Sequence, residues 1–193
     1  SGSVSYIKPG SGIGGGDING NAVAGKKSLP IYCVKHDDSE KCISISFDAA
    51  WGADDTIEIL NTLDKYNVKA TFFVIGKYVD KHPELVKRAY DDGHYIANHG
   101  YDHSNKKLYE SNASFINEVK KTDIEIGKAI GIDNYCSHIF RFPNGYMSPN
   151  NKSQKKVSAK LLQEMDYVYV DWNCLNNDSV KKYSNYQLLN NLK

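Results

Sequence analysis

Residues 43–52 read I-S-I-S-F-D-A-A-W-G. The first five alternate apolar and polar, the two-residue period of a half-buried strand. A lone carboxylate, Asp48, closes the run, and Ala49, Ala50 and Trp51 follow it. Downstream, Asp54-Asp55-Thr56 offers an N-cap, and Ile57, Leu60 and Leu63 then recur at helical spacing, with Ile59 widening the stripe. Next, V-K-A-T-F-F-V-I (68–75) is β-rich and mostly apolar, as in a buried parallel strand. Upstream, I-Y-C-V (31–34) pairs with C-I-S-I-S-F (42–47) across a polar turn.

The alternation continues along the chain. Residues 82–90 read as a helix with Pro83 near its start and Gly93 beyond its end. H-Y-I-A-N-H (94–99) reads as a short strand. A longer helix covers about 113–130, with Phe115, Ile116, Val119, Ile126 and Ile130 as core positions. I-F-R-F (139–142) is a strand, Ser158–Met165 a helix, Y-V-Y-V-D-W (167–172) a strand, and Gln187–Leu192 begins another helix. Repeated strand–helix units predict an α/β fold, a parallel sheet covered by helices and either open or closed into a barrel. In such a barrel the chemistry sits at the C-terminal ends of the strands. Asp48, His99, Arg141 and Asp171-Trp172 all fall there.

The 193 residues fit one domain with a real core, and a formal net charge of +1 gives no basic field for nucleic acid. There is no apolar run of about 18 residues, hence no membrane span in this chain. Nothing indicates an oligomer. Residues 1–28 are Gly-rich, without apolar periodicity, and read as a linker or disordered arm; 29–193 form the structured domain. Of the four cysteines, Cys33 and Cys42 flank the polar turn, while Cys136 and Cys174 lie apart. Their spacing permits disulfides or thiols and excludes a C-x-x-C zinc ribbon.

N-H-G-Y-D-H (98–103) is the strongest local signal. His99 and His103, four apart, can reach one metal ion from a turn, or stand as two surface histidines. Asp102 reads as an acceptor for an imidazole N–H or as a turn residue. Asp48 reads as a cap or as a general base beside a metal-bound water. Asp54 and Asp55 read as caps, with metal ligation the alternative.

Together these segments resemble the polysaccharide deacetylases, the NodB-homology group also called carbohydrate esterase family four. S-F-D (46–48) is similar to their first motif and H-G-Y-D-H (99–103) to the second. R-F-P-N-G (141–145) is similar to the third, and D-W-N-C-L-N-N-D-S (171–179) to the fourth. The resemblance implies a distorted (β/α) barrel and metal-dependent removal of N-acetyl groups from a sugar polymer. It makes Asp48 the general base, His99 and His103 metal ligands, and Arg141 the group that orients the base. Asn144, after Pro143, would donate its N–H to the oxyanion. Asp178 would orient the catalytic histidine, and Trp172, with Tyr146, would line the substrate groove.

There are two departures from the family pattern. The family's second consecutive acid, a metal ligand, is here Ala49, which leaves Asp54 or Asp48 itself to complete the site. The fifth motif, Leu-x-x-His with the general acid, is missing before Lys193, so the barrel is expected to be incomplete at its C-terminus in this chain. The resulting expectation is a bacterial, extracellular or cell-surface enzyme using zinc or cobalt on a cell-wall glycan. Peptidoglycan N-acetylglucosamine is the first substrate. The alternative is a catalytically impaired glycan-binding barrel.

Overall fold

The computed structural model describes residues 2–7, 34–35, 42–49, 53–175, 178 and 183–191. Strands β1 (Gly2–Ile7), β2 (Val34–Lys35) and β3 (Cys42–Ala49) come first, then α1 (Ala53–Lys65), β4 (Thr71–Val74), α2 (Gly76–Lys81), α3 (Pro83–Asp91) and β5 (Tyr95–Asn98). The chain continues through α4 (Asn105–Leu108), α5 (Asn112–Ile130), β6 (Ile139–Phe140), α6 (Lys152–Glu164), β7 (Val168–Tyr169), β8 (Cys174–Leu175) and α7 (Asn185–Asn190).

Strands β3, β4, β5, β6 and β7 lie side by side and parallel, the order of a (β/α) barrel. Strand β1 runs antiparallel along the other edge of β3 and carries β8 beyond it. Among the described residues the pairing path runs open from β7 to β8. Gly2–Ile7 is therefore a sheet strand within the stretch read above as an arm; the remainder of that stretch, Cys33 and Trp51 lie outside the described residues. A pairing of Cys33 with Cys42 lies outside them too, while Cys136 and Cys174 are half-buried free thiols.

Register decides which side chains meet. Asp48 stands opposite Phe73, Phe73 opposite Ala97, and Ile139 opposite Val168. Phe73, Ala97, Ile139 and Val168 form one buried cluster on the inner face. Successive side chains alternate between faces, so two residues further along each strand His99, Arg141 and Val170 face the same way as that cluster. The intervening row, Ala49, Val74, Asn98, Phe140 and Tyr169, faces the helices. There Ile45, Phe47 and Ala49 pack on a core that includes Leu60, Leu63, Phe72, Val74 and Val86. A second helix-side core joins Phe115 and Val119 of α5 to Phe140, Phe142, Leu162 and Tyr169.

The helices show where apolar spacing guides and where it fails. Helix α1 opens on Asp54 and Asp55 and closes on Lys65, charges that suit its dipole. It buries Thr56, Leu60 and Leu63, but Ile57 stays 38 % exposed, off the expected stripe. In α5 the Ser111 side chain accepts from the Ser114 N–H at 3.0 Å, and Gly131 ends the helix at φ 77°. Helix α6 begins at Lys152, six residues before the expected start, because its first inward positions are polar: Lys155 and Ser158 are buried.

Candidate active site

The site gathers at the C-terminal ends of β3, β5 and β6. Arg141, wholly buried just past β6, is its centre. Its Nη1 donates to Asp48 Oδ1 at 2.7 Å, its Nη2 to Ser46 Oγ at 2.9 Å, and its Nε to the Val170 carbonyl at 3.0 Å. The guanidinium lies 3.8 Å from the Phe73 ring centre and 5.4 Å from that of Trp172. A charge buried this deeply is stable only because its donors are taken and a carboxylate stands against it.

Burial by itself would raise the Asp48 carboxyl. His99, when charged, and the Arg141 guanidinium with its hydrogen bond outweigh that and hold it below the usual carboxylate range. His99 Nε2 lies 3.9 Å from Asp48 Oδ2. His99 Nδ1 is 2.8 Å from the Arg141 carbonyl. A carbonyl can only accept, so Nδ1 carries the hydrogen and Nε2 presents its lone pair toward Asp48. Burial holds His99 down to about 4, so at neutral pH the imidazole is uncharged and the Arg141 guanidinium stands as the neighbouring charge that favours the Asp48 carboxylate. The His103 ring sits 5.1 Å from that of His99, and burial also lowers it.

Two neutral imidazoles, one with its lone pair directed by a backbone acceptor, are the donors a divalent metal ion takes. Among the described residues no third His, Cys, Asp or Glu joins them in a metal-binding cluster. Asp54 stands exposed on the first turn of α1 and is not brought to the histidines. Ala49 packs on the helix-facing core, across the strand from Asp48. Asp102 spends its carboxylate on Lys77 and Lys107, not on an imidazole; hydrogen bonds from these lysines hold it down to about 2.

The third-motif loop follows directly from Arg141. Pro143 is buried, and Asn144, at φ 63°, is exposed at the turn. Gly145 adopts φ 80°, and a Cβ there would stand 3.0 Å from the Trp172 ring, so glycine lets the indole close over the loop. Tyr146 stacks on Tyr169 at 4.6 Å and is half-buried. Asp171 and Lys155, to which the motifs give no role, hold this loop. The Asp171 carboxylate accepts the Tyr146 N–H at 2.9 Å and the Met147 N–H at 3.3 Å. Buried Lys155 donates to the Gly145 carbonyl at 2.7 Å and to the Ser148 carbonyl at 3.3 Å. Asp171 stood at a strand end and was visible; a lysine inside K-S-Q-K-K reads as surface. Asp178 lies half-buried at a turn beyond β8.

The family profile described as Polysaccharide deacetylase matches residues 35–169, and the chain belongs to that family. It is 30% identical over 139 residues to a peptidoglycan-N-acetylglucosamine deacetylase of Bacillus cereus, covering 72% of this chain and 49% of that protein. It is 32% identical over 146 residues to a peptidoglycan-N-acetylmuramic acid deacetylase of Bacillus subtilis, covering 75% and 54%. Its fold is also similar to that of a solved pseudoenzyme of carbohydrate esterase family four from Bacillus anthracis. That match has a TM-score of 0.62 at 25% identity, over 76% of this chain and 48% of that one. The chain thus spans about half the length of the curated relatives it matches.

Proposed function

We propose that residues 29–193, together with the β1 strand at Gly2–Ile7, form the catalytic unit of a metal-dependent deacetylase. It would act on a cell-wall polysaccharide outside or on the surface of a bacterium. Peptidoglycan N-acetylglucosamine is the proposed substrate and N-acetylmuramic acid the competing one. The observation that carries this reading is the Arg141–Asp48 pair at 2.7 Å beside His99 at 3.9 Å, all on one face of the sheet.

Asp48, kept ionised by Arg141, takes a proton from the attacking water. The water oxygen bonds to the acetamide carbon, and the C–N bond breaks as its nitrogen takes up the proton that Asp48 received, leaving an amine on the sugar and releasing acetic acid, which ionises to acetate. The Asn144 N–H donates to the oxyanion, a contact typically worth about 3–4 kcal/mol. By the family resemblance Asp178 would orient the general-acid histidine of the fifth motif, which does not occur within residues 1–193. Trp172 and Tyr146 offer ring surface along the groove, and Pro143 sets the turn that presents Asn144. His99 and His103 hold the metal ion, proposed as zinc with cobalt an acceptable substitute. When bound, such an ion polarises the carbonyl and acidifies water.

The test is acetate release from N-acetylglucosamine oligomers and from peptidoglycan, with zinc or cobalt added, by wild type and by His99→Ala and His103→Ala. Release by wild type and its loss in both variants is the expected result. Ala49, turned to the helices, and the absence of a third donor among the described residues favour one second reading, a barrel that binds glycan without hydrolysing it. Oligomer binding with no acetate from either metal would establish that reading and overturn the first.

A further inference from the structure

The segment from His99 to His103 turns sharply, with Gly100 at φ 80° and His103 at φ 55°. For a residue other than glycine that conformation is uphill, so contacts from outside must hold it. Its carbonyls are met by α2: the Gly76 N–H donates to Gly100 and the Lys77 N–H to Tyr101, each at 3.0 Å. Its N–H groups are met from β5 and α5. Asn98 Oδ1 accepts the Gly100 N–H at 2.9 Å, while its Nδ2 donates to Asp123 and to the Val119 carbonyl. Glu118 Oε2 then accepts two successive N–H groups, Tyr101 at 2.9 Å and Asp102 at 3.0 Å.

We propose that Glu118 is the positioning residue for His103. One carboxylate oxygen, held on a 19-residue helix, bridges the two amides that precede the turn into His103. Bonds from N–H to an ionised oxygen are the strong kind. The neighbouring acid cannot substitute, because Asp102 is engaged with Lys77 and Lys107. Asn98 fixes the His99 end of the loop and Glu118 the His103 end, so the spacing of the two rings depends on both. That His103 binds metal rests on the function proposed above; that Glu118 places it does not.

The experiment compares wild type, Glu118→Ala and Glu118→Gln as the full chain, first without metal. It reads the His103 ring Hε1–Cε1 cross-peak, amide exchange at Tyr101 and Asp102, and the buried His94 cross-peak as a distant control. In Glu118→Ala the His103 peak is expected to shift or broaden and the two amides to exchange about tenfold faster, with His94 unmoved. Glu118→Gln, which keeps an acceptor oxygen, restores the wild-type pattern. Cobalt titration is expected to show about tenfold weaker binding for Glu118→Ala and a value within about threefold of wild type for Glu118→Gln. Should Glu118→Ala fail to fold, Glu118→Asp, with its acceptor withdrawn by one methylene, is read the same way. A His103 peak and amide exchange in the variant superimposable on wild type would overturn the proposal. A wild type that takes up no cobalt would sink the metal reading, while the His103 peak still decides the role of Glu118.

Discussion

Arg141 is at once a core residue and a charged one, and its neighbours follow from that. Its carbonyl sets the His99 tautomer, its Nη1 holds Asp48, and its guanidinium lies over the Phe73 ring. Asp48→Asn is expected to lower acetate release about a hundredfold or more, the loss of the proposed general base. The same change strands the guanidinium without its counter-charge, and unfolding in urea should show a loss of about 3 kcal/mol. The double variant Asp48→Asn with Arg141→Met removes both charges. It should regain most of that stability and none of the activity, which separates the two effects. The pairing of Asp48 with Arg141 was legible in sequence through the family resemblance. The outward turn of Ala49 was not, because local spacing leaves open whether the strand stays regular beyond Phe47, as it does to Ala49.

At the scale of elements, the His99–His103 loop is clamped between α2 and α5, and Gly76 sets how closely they approach. A Cβ at Gly76 would lie 2.5 Å from Tyr101 Cδ2 and 3.1 Å from the Thr122 backbone. Gly76→Ala should therefore destabilise the fold by about 1–3 kcal/mol in urea unfolding, as overpacking does. Helix α2 itself escaped sequence reading: it is 6 residues long and buries only Gly76 and Val79, too few positions to show a period. Helix α5, at 19 residues, showed its period plainly, although Ile116 of its predicted core is only half-buried. The polar face of α5 carried no such signal. Glu118 and Asp123 look like ordinary surface acids until the tertiary fold lays the loop and Asn98 against them.

For the whole molecule, acid sensitivity follows from histidines buried in their neutral form. His94 accepts the Ala70 N–H at 3.2 Å, and its Nε2 finds no partner among the described residues. Burial, and then the charge of Lys69, hold it down to about 4 against 6.5 for the free side chain. The unfolded chain takes the proton more readily, so the stability His94 contributes is complete above pH 6.5 and is lost as pH falls toward 4. Buried His99 acts in the same sense. Unfolding free energies measured in denaturant should fall between pH 6.5 and pH 4, by at most about 1.4 kcal/mol per pH unit for each such histidine. His94→Asn, whose Oδ1 can accept the same N–H, should flatten that fall by about half while leaving His99 in place.

The sequence by itself determined the strand–helix alternation, the polar residues at strand ends and the family. Each is written in local spacing: a period of two, a period near four, and motifs a few residues long. Only the tertiary structure decided that Ala49 faces the helices, that Asp54 stays in solvent, and that Lys155, Asp171 and Glu118 hold the walls of the site. Those assignments depend on strand parity carried across a parallel register and on helices packed at long sequence separation. Short-range pattern holds no record of either.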